Sequence, residues 1–151
     1  NYYDIISMSY LFLSCTEKKN LQPKRVNQLP PMQVRKSSDG VQDVDWQIIT
    51  IQNKRALFFN QYPSFSLNSI AKTVSGHTGC NIIYGTYQYD FTQSKMSFDV
   101  MAQHTSCDKA LAQEADLMDA MQRIERFQIE GTNLYLLDVK GQRLIQAQRK
   151  K

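Results

Sequence analysis

The sequence predicts an α+β domain, in which a mostly antiparallel curled sheet or open barrel of about seven strands packs against one helix. Three observations lead to this fold class. Short runs rich in β-branched and aromatic residues recur between turn residues, which is typical of antiparallel strands. One segment, residues 108–124, has helical spacing instead. The chain of 151 residues is about one domain long, and it contains no apolar stretch of the ~20 residues that a transmembrane helix needs.

The strand predictions rest on alternation and on turn signals. In the run that precedes the helix, Met96, Phe98 and Val100 share one face, because successive strand residues point to opposite sides of a sheet. Gly76 and Gly79 mark a turn in the middle of the domain. The runs from which about seven strands are expected are residues 46–51, 56–59, 64–67, 71–74, 81–89 and 95–101 before the helix, and 126–129, 134–139 and 143–146 after it.

The predicted helix has one apolar stripe, formed by Ala110, Leu117, Met121 and Ile124. Thr105 or Ser106 is expected to cap its first turn, where Asp108 suits the positive end of the helix dipole. Glu114 falls inside the stripe. A buried carboxylate without a partner is costly, so Glu114 must be hydrogen-bonded, reach the edge of the stripe or be protonated. It is either a structural glutamate tied to backbone N–H groups or an arginine, or a functional group with a shifted pKa.

Composition divides the chain into three parts. Residues 1–15 resemble the end of a lipoprotein leader, since an apolar run leads to Cys15, a candidate lipidation site. A plain N-terminal tail is the alternative, because Asp4 is charged and no basic stretch precedes the apolar run. Residues 16–44 are predicted to be a linker, dispensable for folding, because they contain three prolines and few large apolar residues. Residues 45–151 are predicted to fold.

The net charge of +4 does not predict a nucleic-acid partner. Residues 45–148 contain nine Lys/Arg and ten Asp/Glu, so the excess positive charge lies in the two tails. A nucleic-acid-binding domain usually carries its basic residues on the folded surface. The tails are expected to be solvated, with contact to an anionic membrane surface as the alternative.

Two short strings, His77-Thr-Gly-Cys80 and His104-Thr-Ser-Cys107, contain both histidines and two of the three cysteines. A Cys80–Cys107 disulfide is the favoured interpretation for an exported chain. Two unpaired buried cysteines, a Cys₂His₂ zinc site and a Cys–His nucleophile are the alternatives. The sequence contains no phosphate-binding loop, no nucleophile elbow and no zinc-protease motif, and it therefore predicts neither a catalytic group nor a cofactor.

One string of motifs resembles the META or HslJ-like domain family. It begins with Val74-Ser-Gly-His-Thr-Gly-Cys-Asn81 and continues with Tyr84-Gly-Thr-Tyr87. The likeness spans residues 45–148, including Trp46 and the closing segment 134–141, but Gln103 stands where the family often has threonine. The positions that match the family motif are Gly76, Gly79, Cys80, Asn81, Gly85, Tyr87, Cys107 and Glu114.

This resemblance implies a non-enzymatic domain of the cell envelope with a binding or stress-tolerance role. It implies an exported protein, in the periplasm or at the outer membrane as a lipoprotein, with a protein or lipid partner. The family is similar in fold to lipoprotein pilotins, and its motif glycines and asparagine have structural uses in turns. The alternative is a periplasmic enzyme or zinc protein that uses His77, His104 and the two paired cysteines.

Four methionines suggest where a partner would bind. If the helix lies across a curled sheet, Met96, Met101, Met118 and Met121 could line an apolar groove between them. The simpler alternative is that these side chains fill an irregular core.

Overall fold

The computed structural model describes residues 36–105 and 107–150, which form one antiparallel sheet and one helix. The predictions for residues 1–35, including Cys15 and most of the linker, lie outside the described residues. In chain order the strands are β1 (Asp45–Ile51), β2 (Lys54–Arg55), β3 (Ser64–Asn68), β4 (Thr73–His77), β5 (Ile82–Asp90), β6 (Lys95–Ala102), β7 (Arg126–Glu130), β8 (Asn133–Leu137) and β9 (Arg143–Arg149). The helix α1 (Leu111–Arg123) lies between β6 and β7.

The sheet has nine strands rather than about seven. The two-residue strand β2 carries no apolar pattern that predicts a strand. It arises because Gln52 and Asn53 adopt positive φ values of 47° and 69° and turn the chain back onto β1. Residues 56–59, predicted as a strand, form a loop instead.

The strands follow the order β9-β8-β7-β6-β5-β4-β3-β1-β2, and β9 also pairs with β1. The sheet therefore curls back on itself. The strand pairing is least extensive between β6 and β7, where Lys95 opposite Arg126 is the single residue pair in register. Helix α1 packs against β6 and β1. No helix within residues 36–105 and 107–150 is long and apolar enough to cross a membrane.

The inner face of the sheet and the apolar stripe of α1 share one core. Ala110, Leu117, Met121 and Ile124 are buried, as the helical spacing predicts. Burial of each large side chain of this kind contributes about 1.5–3 kcal/mol. The predicted methionine groove is wrong, because Met96 and Met121 lie in the core while Met101 is 57% exposed.

The helix begins at Leu111, three residues later than predicted. Its N-cap is Ala110, which makes no side-chain capping hydrogen bond. Thr105 does not cap the helix, since it lies five residues before the N-cap; its backbone N–H and C=O are both hydrogen-bonded to the side chain of Asn81. Ser106 lies outside the described residues.

The folded part of the chain starts before Asp45, which corrects the predicted boundary. Val41 is fully buried, and its carbonyl oxygen accepts a 2.9 Å hydrogen bond from the indole N–H of Trp46. Residues 39–44 are polar in composition, so hydrophobic patterning placed them in the linker. Their attachment comes from the buried Val41 and from hydrogen bonds to Tyr87, which is buried, and Tyr89, which is half-buried. The Tyr89 hydroxyl donates to Asp39 at 2.8 Å, and the Tyr87 hydroxyl donates to the side chain of Gln42.

The pKa values of Tyr87 and Asp39 keep the tyrosine protonated and the aspartate ionised, as the hydrogen bonds of this attachment require. Burial, with a smaller contribution from the nearby carboxylates Asp43 and Asp39, raises the pKa of Tyr87 to about 12. Burial also tends to raise the pKa of Asp39, but hydrogen bonds from the N–H groups of Gln42 and Val41 outweigh it and keep that pKa below its usual value. At neutral pH Tyr87 is therefore protonated and donates to Gln42, while Asp39 is ionised and accepts from Tyr89.

Candidate functional site

The family-like motif folds into a closed turn directly after β4. The Thr78 hydroxyl oxygen accepts hydrogen bonds from the N–H groups of Cys80 at 3.1 Å and Asn81 at 2.9 Å. The N–H of Gly79 donates to Nδ1 of His77 at 2.9 Å. Gly79 has φ +103°, a conformation that a residue with a Cβ rarely adopts. Glycine at this position lets the chain turn within four residues.

Glu114 connects this turn to the helix. Its Oε1 accepts a 2.6 Å hydrogen bond from the Thr78 hydroxyl and a 2.9 Å hydrogen bond from the Asn81 side-chain amide. Thr78 and Asn81 are 1% and 2% exposed, and Glu114 is half-buried. Glu114 thus reaches two donors from the apolar side of the helix. It follows the structural interpretation of this residue, with side-chain donors in place of the expected backbone N–H or arginine.

Asn81 also fixes the segment between β6 and α1. Its side-chain N–H₂ donates to the carbonyl oxygen of Thr105 at 3.0 Å, and its Oδ1 accepts from the N–H of Thr105 at 2.9 Å. The asparagine therefore pairs with this backbone as a neighbouring strand would. Gln103, which departs from the family pattern, is exposed and donates its backbone N–H to the carbonyl oxygen of Ile82 at 3.0 Å.

The Cys80–Cys107 disulfide joins the same two segments. The Cα atoms of the two cysteines are 6.0 Å apart, within the range that a disulfide can span. The bridge uses both thiols that a Cys₂His₂ zinc site or a Cys–His nucleophile would need. We refer to Thr78, Asn81, Thr105 and Glu114, together with this disulfide, as the clasp.

The two histidines do not complete a reactive site with the clasp. His77 uses Nδ1 to accept the Gly79 N–H, and burial lowers its pKa, an effect that the nearby Glu114 charge partly opposes. His104 is exposed in the segment after β6. Within residues 36–105 and 107–150, no group of three His, Cys, Asp or Glu side chains is placed to hold a metal ion.

Residues next to the clasp hold the loop of residues 56–62, a connection that the sequence did not suggest. Gln113 of α1 accepts from the N–H of Leu57 at 2.8 Å and donates to its carbonyl oxygen at 3.1 Å. The N–H of Asn60 donates to the carbonyl oxygen of Gly79 at 3.2 Å. A Cβ on Gly79 would lie 3.2 Å from the carbonyl oxygen of Gln61, so glycine also allows the loop to approach. A glutamine one residue before Glu114 carries no pattern that distinguishes it from a solvated side chain.

The remaining motif positions act elsewhere in the sheet. Gly76 and Gly85 lie on the inner face of β4 and β5, where a Cβ on Gly76 would come within 3.0 Å of the Phe65 Cα. Tyr87 belongs to the attachment of residues 39–44. The motif is thus divided between the clasp, the close strand approaches and the N-terminal attachment.

Comparisons with known proteins agree with this geometry. The model of the META domain family matches residues 39–151, beginning at the aspartate that binds Tyr89. No curated protein matches the chain. A protein from Burkholderia xenovorans, solved by NMR, is 18% identical with a TM-score of 0.57, and the alignment covers 89% of this chain and 95% of that one. At such identity the likeness concerns the fold alone.

A second solved structure is a DUF4847 family protein from Bacteroides vulgatus, 17% identical with a TM-score of 0.51. The alignment covers 59% of this chain and 60% of that protein's chain. The family match takes in both cysteines of the disulfide, the clasp and the N-terminal attachment. The chain therefore belongs to the META domain family.

Proposed function

We propose that this protein is a non-catalytic binding module of the cell envelope with a role in stress tolerance. The observation that carries the proposal is that the motif side chains of the clasp bond to one another. Thr78, Asn81 and Glu114 bind one another, and Cys80 is bridged to Cys107. A catalytic motif would instead direct a nucleophile and a base toward a substrate.

The disulfide also supports export. Structural disulfides form in oxidising compartments such as the periplasm and are rare in the reducing cytosol. Cys15, with the apolar run before it, is proposed as the acylated residue that holds the domain at the membrane. The residues between Cys15 and the folded domain would then act as a tether.

A complementation experiment in the source organism tests this proposal. Cells that lack the protein would receive the wild type, a Cys15→Ser variant or a His77→Asn/His104→Gln double variant. Asparagine can replace the Nδ1 acceptor of His77 with its side-chain oxygen, so the clasp should persist. We expect the double variant to restore survival under envelope stress as well as the wild type does, and Cys15→Ser to leave the membrane fraction and lose protection.

Equal melting temperatures of the purified variants serve as the control for folding. Loss of protection by the histidine variant, with its melting temperature unchanged, would support the enzyme or zinc alternative instead. Membrane association of Cys15→Ser equal to that of the wild type would contradict the lipid anchor.

A further inference from the structure

The loop of residues 56–62 exposes an unusual amount of apolar surface. Leu57, Phe58 and Tyr62 are 56%, 60% and 44% exposed. The rings of Phe58 and Tyr62 meet edge to face, with centroids 5.2 Å apart. Single exposed apolar residues are ordinary on protein surfaces, but a contiguous group usually marks an interaction site. We refer to Leu57, Phe58 and Tyr62 as the aromatic loop.

The exposure of this loop is built into the fold. Both ends of the loop are buried, at Ala56 and Pro63. Between them, Gln113 binds both backbone groups of Leu57, and the N–H of Asn60 donates to the carbonyl oxygen of Gly79, beside the clasp. The three side chains therefore project from a fixed backbone, so binding through them would require little ordering of the chain.

Three basic and two acidic residues line the clefts beside the aromatic loop, an excess of one positive charge. A cleft of about 210 Å³ between the loop and α1 is lined by Lys54, Arg55 and Lys109, with Asp116 as its one acidic residue. Lys54 forms an ion pair with Asp116 at 3.2 Å. A neighbouring cleft of about 370 Å³ shares Lys109 and Phe59 and adds Asp108. Across both clefts, cations outnumber carboxylates beside a protruding apolar surface.

We propose that this face docks on an anionic lipid bilayer. Leu57 and Phe58 enter the boundary between headgroups and acyl chains, Tyr62 lies at the level of the headgroups, and Lys54, Arg55 and Lys109 meet lipid phosphates. Aromatic side chains favour the membrane interface, and basic residues near an anionic leaflet each strengthen attachment. Exposed apolar side chains beside basic residues suit a flat, negatively charged surface. Both clefts are too small to enclose a lipid molecule, so the lipid contact would be with the bilayer surface.

This inference names the partner class of the binding module and rests on the envelope location proposed above. It adds a second membrane contact to the lipid proposed on Cys15. The lipid on Cys15 would hold the chain near the bilayer, and the aromatic loop would orient the domain on it.

Vesicle sedimentation with purified, unacylated full-length protein tests the proposal. The probes are vesicles of phosphatidylglycerol and phosphatidylcholine, and vesicles of phosphatidylcholine alone. We expect Leu57→Ser/Phe58→Ser to lower the partition coefficient on anionic vesicles by about tenfold or more. Arg55→Glu/Lys109→Glu should lower it by at least about tenfold on anionic vesicles and hardly change it on neutral ones.

The matched control is Ile70→Ser/Phe91→Ser, which removes two apolar side chains that are 54% and 53% exposed elsewhere on the domain. All variants keep the same N-terminal residues, so any contribution from that segment cancels in the comparison. Equal partition of the wild type and the Leu57→Ser/Phe58→Ser variant would overturn the proposal. So would a wild type that self-associates through this loop in sedimentation velocity without binding vesicles, which would make the face a protein interface.

The same measurements separate the two proposals. If the loop variant binds vesicles normally while Cys15→Ser loses membrane association in cells, the docking face fails and the envelope proposal stands. If the wild type binds anionic vesicles through the loop but stays in the cytosolic fraction of cells, the envelope proposal fails instead.

Discussion

Replacing Gly85 with alanine is expected to lower the free energy of unfolding by about 3 kcal/mol or more. Gly85 faces Val100 across β5 and β6, and a Cβ placed on it would lie 2.7 Å from the Val100 Cα and closer still to the carbonyl oxygen of Asp99. These are backbone atoms, so no side-chain rotation relieves the contact and the two strands must separate. Urea unfolding followed by circular dichroism measures the change.

Gly131→Ala is the matched control for this substitution. Gly131 has φ +62°, but a Cβ there meets nothing within 4 Å. Alanine at this position should cost about 1 kcal/mol, from the left-handed backbone alone. If Gly85→Ala destabilises the domain no more than Gly131→Ala does, the close approach of β5 and β6 is wrong.

Asn81→Ala is expected to destabilise the domain by about 3 kcal/mol. The substitution removes the hydrogen bonds to both backbone groups of Thr105 and one of those to Glu114. It also leaves a cavity at a position that is 2% exposed, although Thr105 and Glu114 themselves reach solvent. The segment before α1 should loosen as well, with faster amide hydrogen exchange at Thr105. Chemical denaturation and hydrogen exchange measure the two effects.

Further variants test whether the lost stability comes from the hydrogen bonds of the clasp. Asn60→Ala changes an exposed asparagine and should alter stability by less than about 0.5 kcal/mol. Glu114→Gln keeps an acceptor oxygen for Thr78 and Asn81 and should be milder than Glu114→Ala. Equal effects of the two Glu114 substitutions would mean that its hydrogen bonds do not hold the turn.

The sequence was most informative where apolar periodicity decides the structure. All four residues of the predicted stripe are buried, though Ala120, also buried, was not among them, and the phase of the helix placed Glu114 where it reaches two donors. The long strands β5 and β6 were also evident, because alternation over eight or nine residues leaves little ambiguity.

The elements that were missed are those held by polar contacts. Residues 39–44 join the fold through Asp39, Gln42 and the hydroxyls of two tyrosines, which hydrophobic patterning does not detect. Residues 56–59 form an apolar run that predicts a strand, but Gln113 holds the run as a loop from 56 positions away in the chain. Such long-range hydrogen bonds depend on tertiary structure, so a single sequence does not disclose them.

The resemblance supplied the position of the motif, and the structure supplies its use. From spacing alone, the two H-x-x-C strings allowed a disulfide, free thiols, zinc or a nucleophile. The turn at Thr78–Asn81 brings Cys80 to Cys107 and directs His77 back onto Gly79. The two cysteines therefore join the turn to the segment before α1, His77 closes the turn, and His104 is exposed outside it.

Non-reducing peptide mapping of the native protein tests most directly whether the motif is structural. Protein purified without reductant is alkylated while folded, digested and analysed by mass spectrometry, which distinguishes Cys15 from the other two cysteines. The account predicts a cross-linked peptide pair that contains Cys80 and Cys107, with neither residue alkylated. Alkylation of both residues in protein that still melts cooperatively would contradict the account, because free thiols at these positions would be available for metal binding or nucleophilic chemistry.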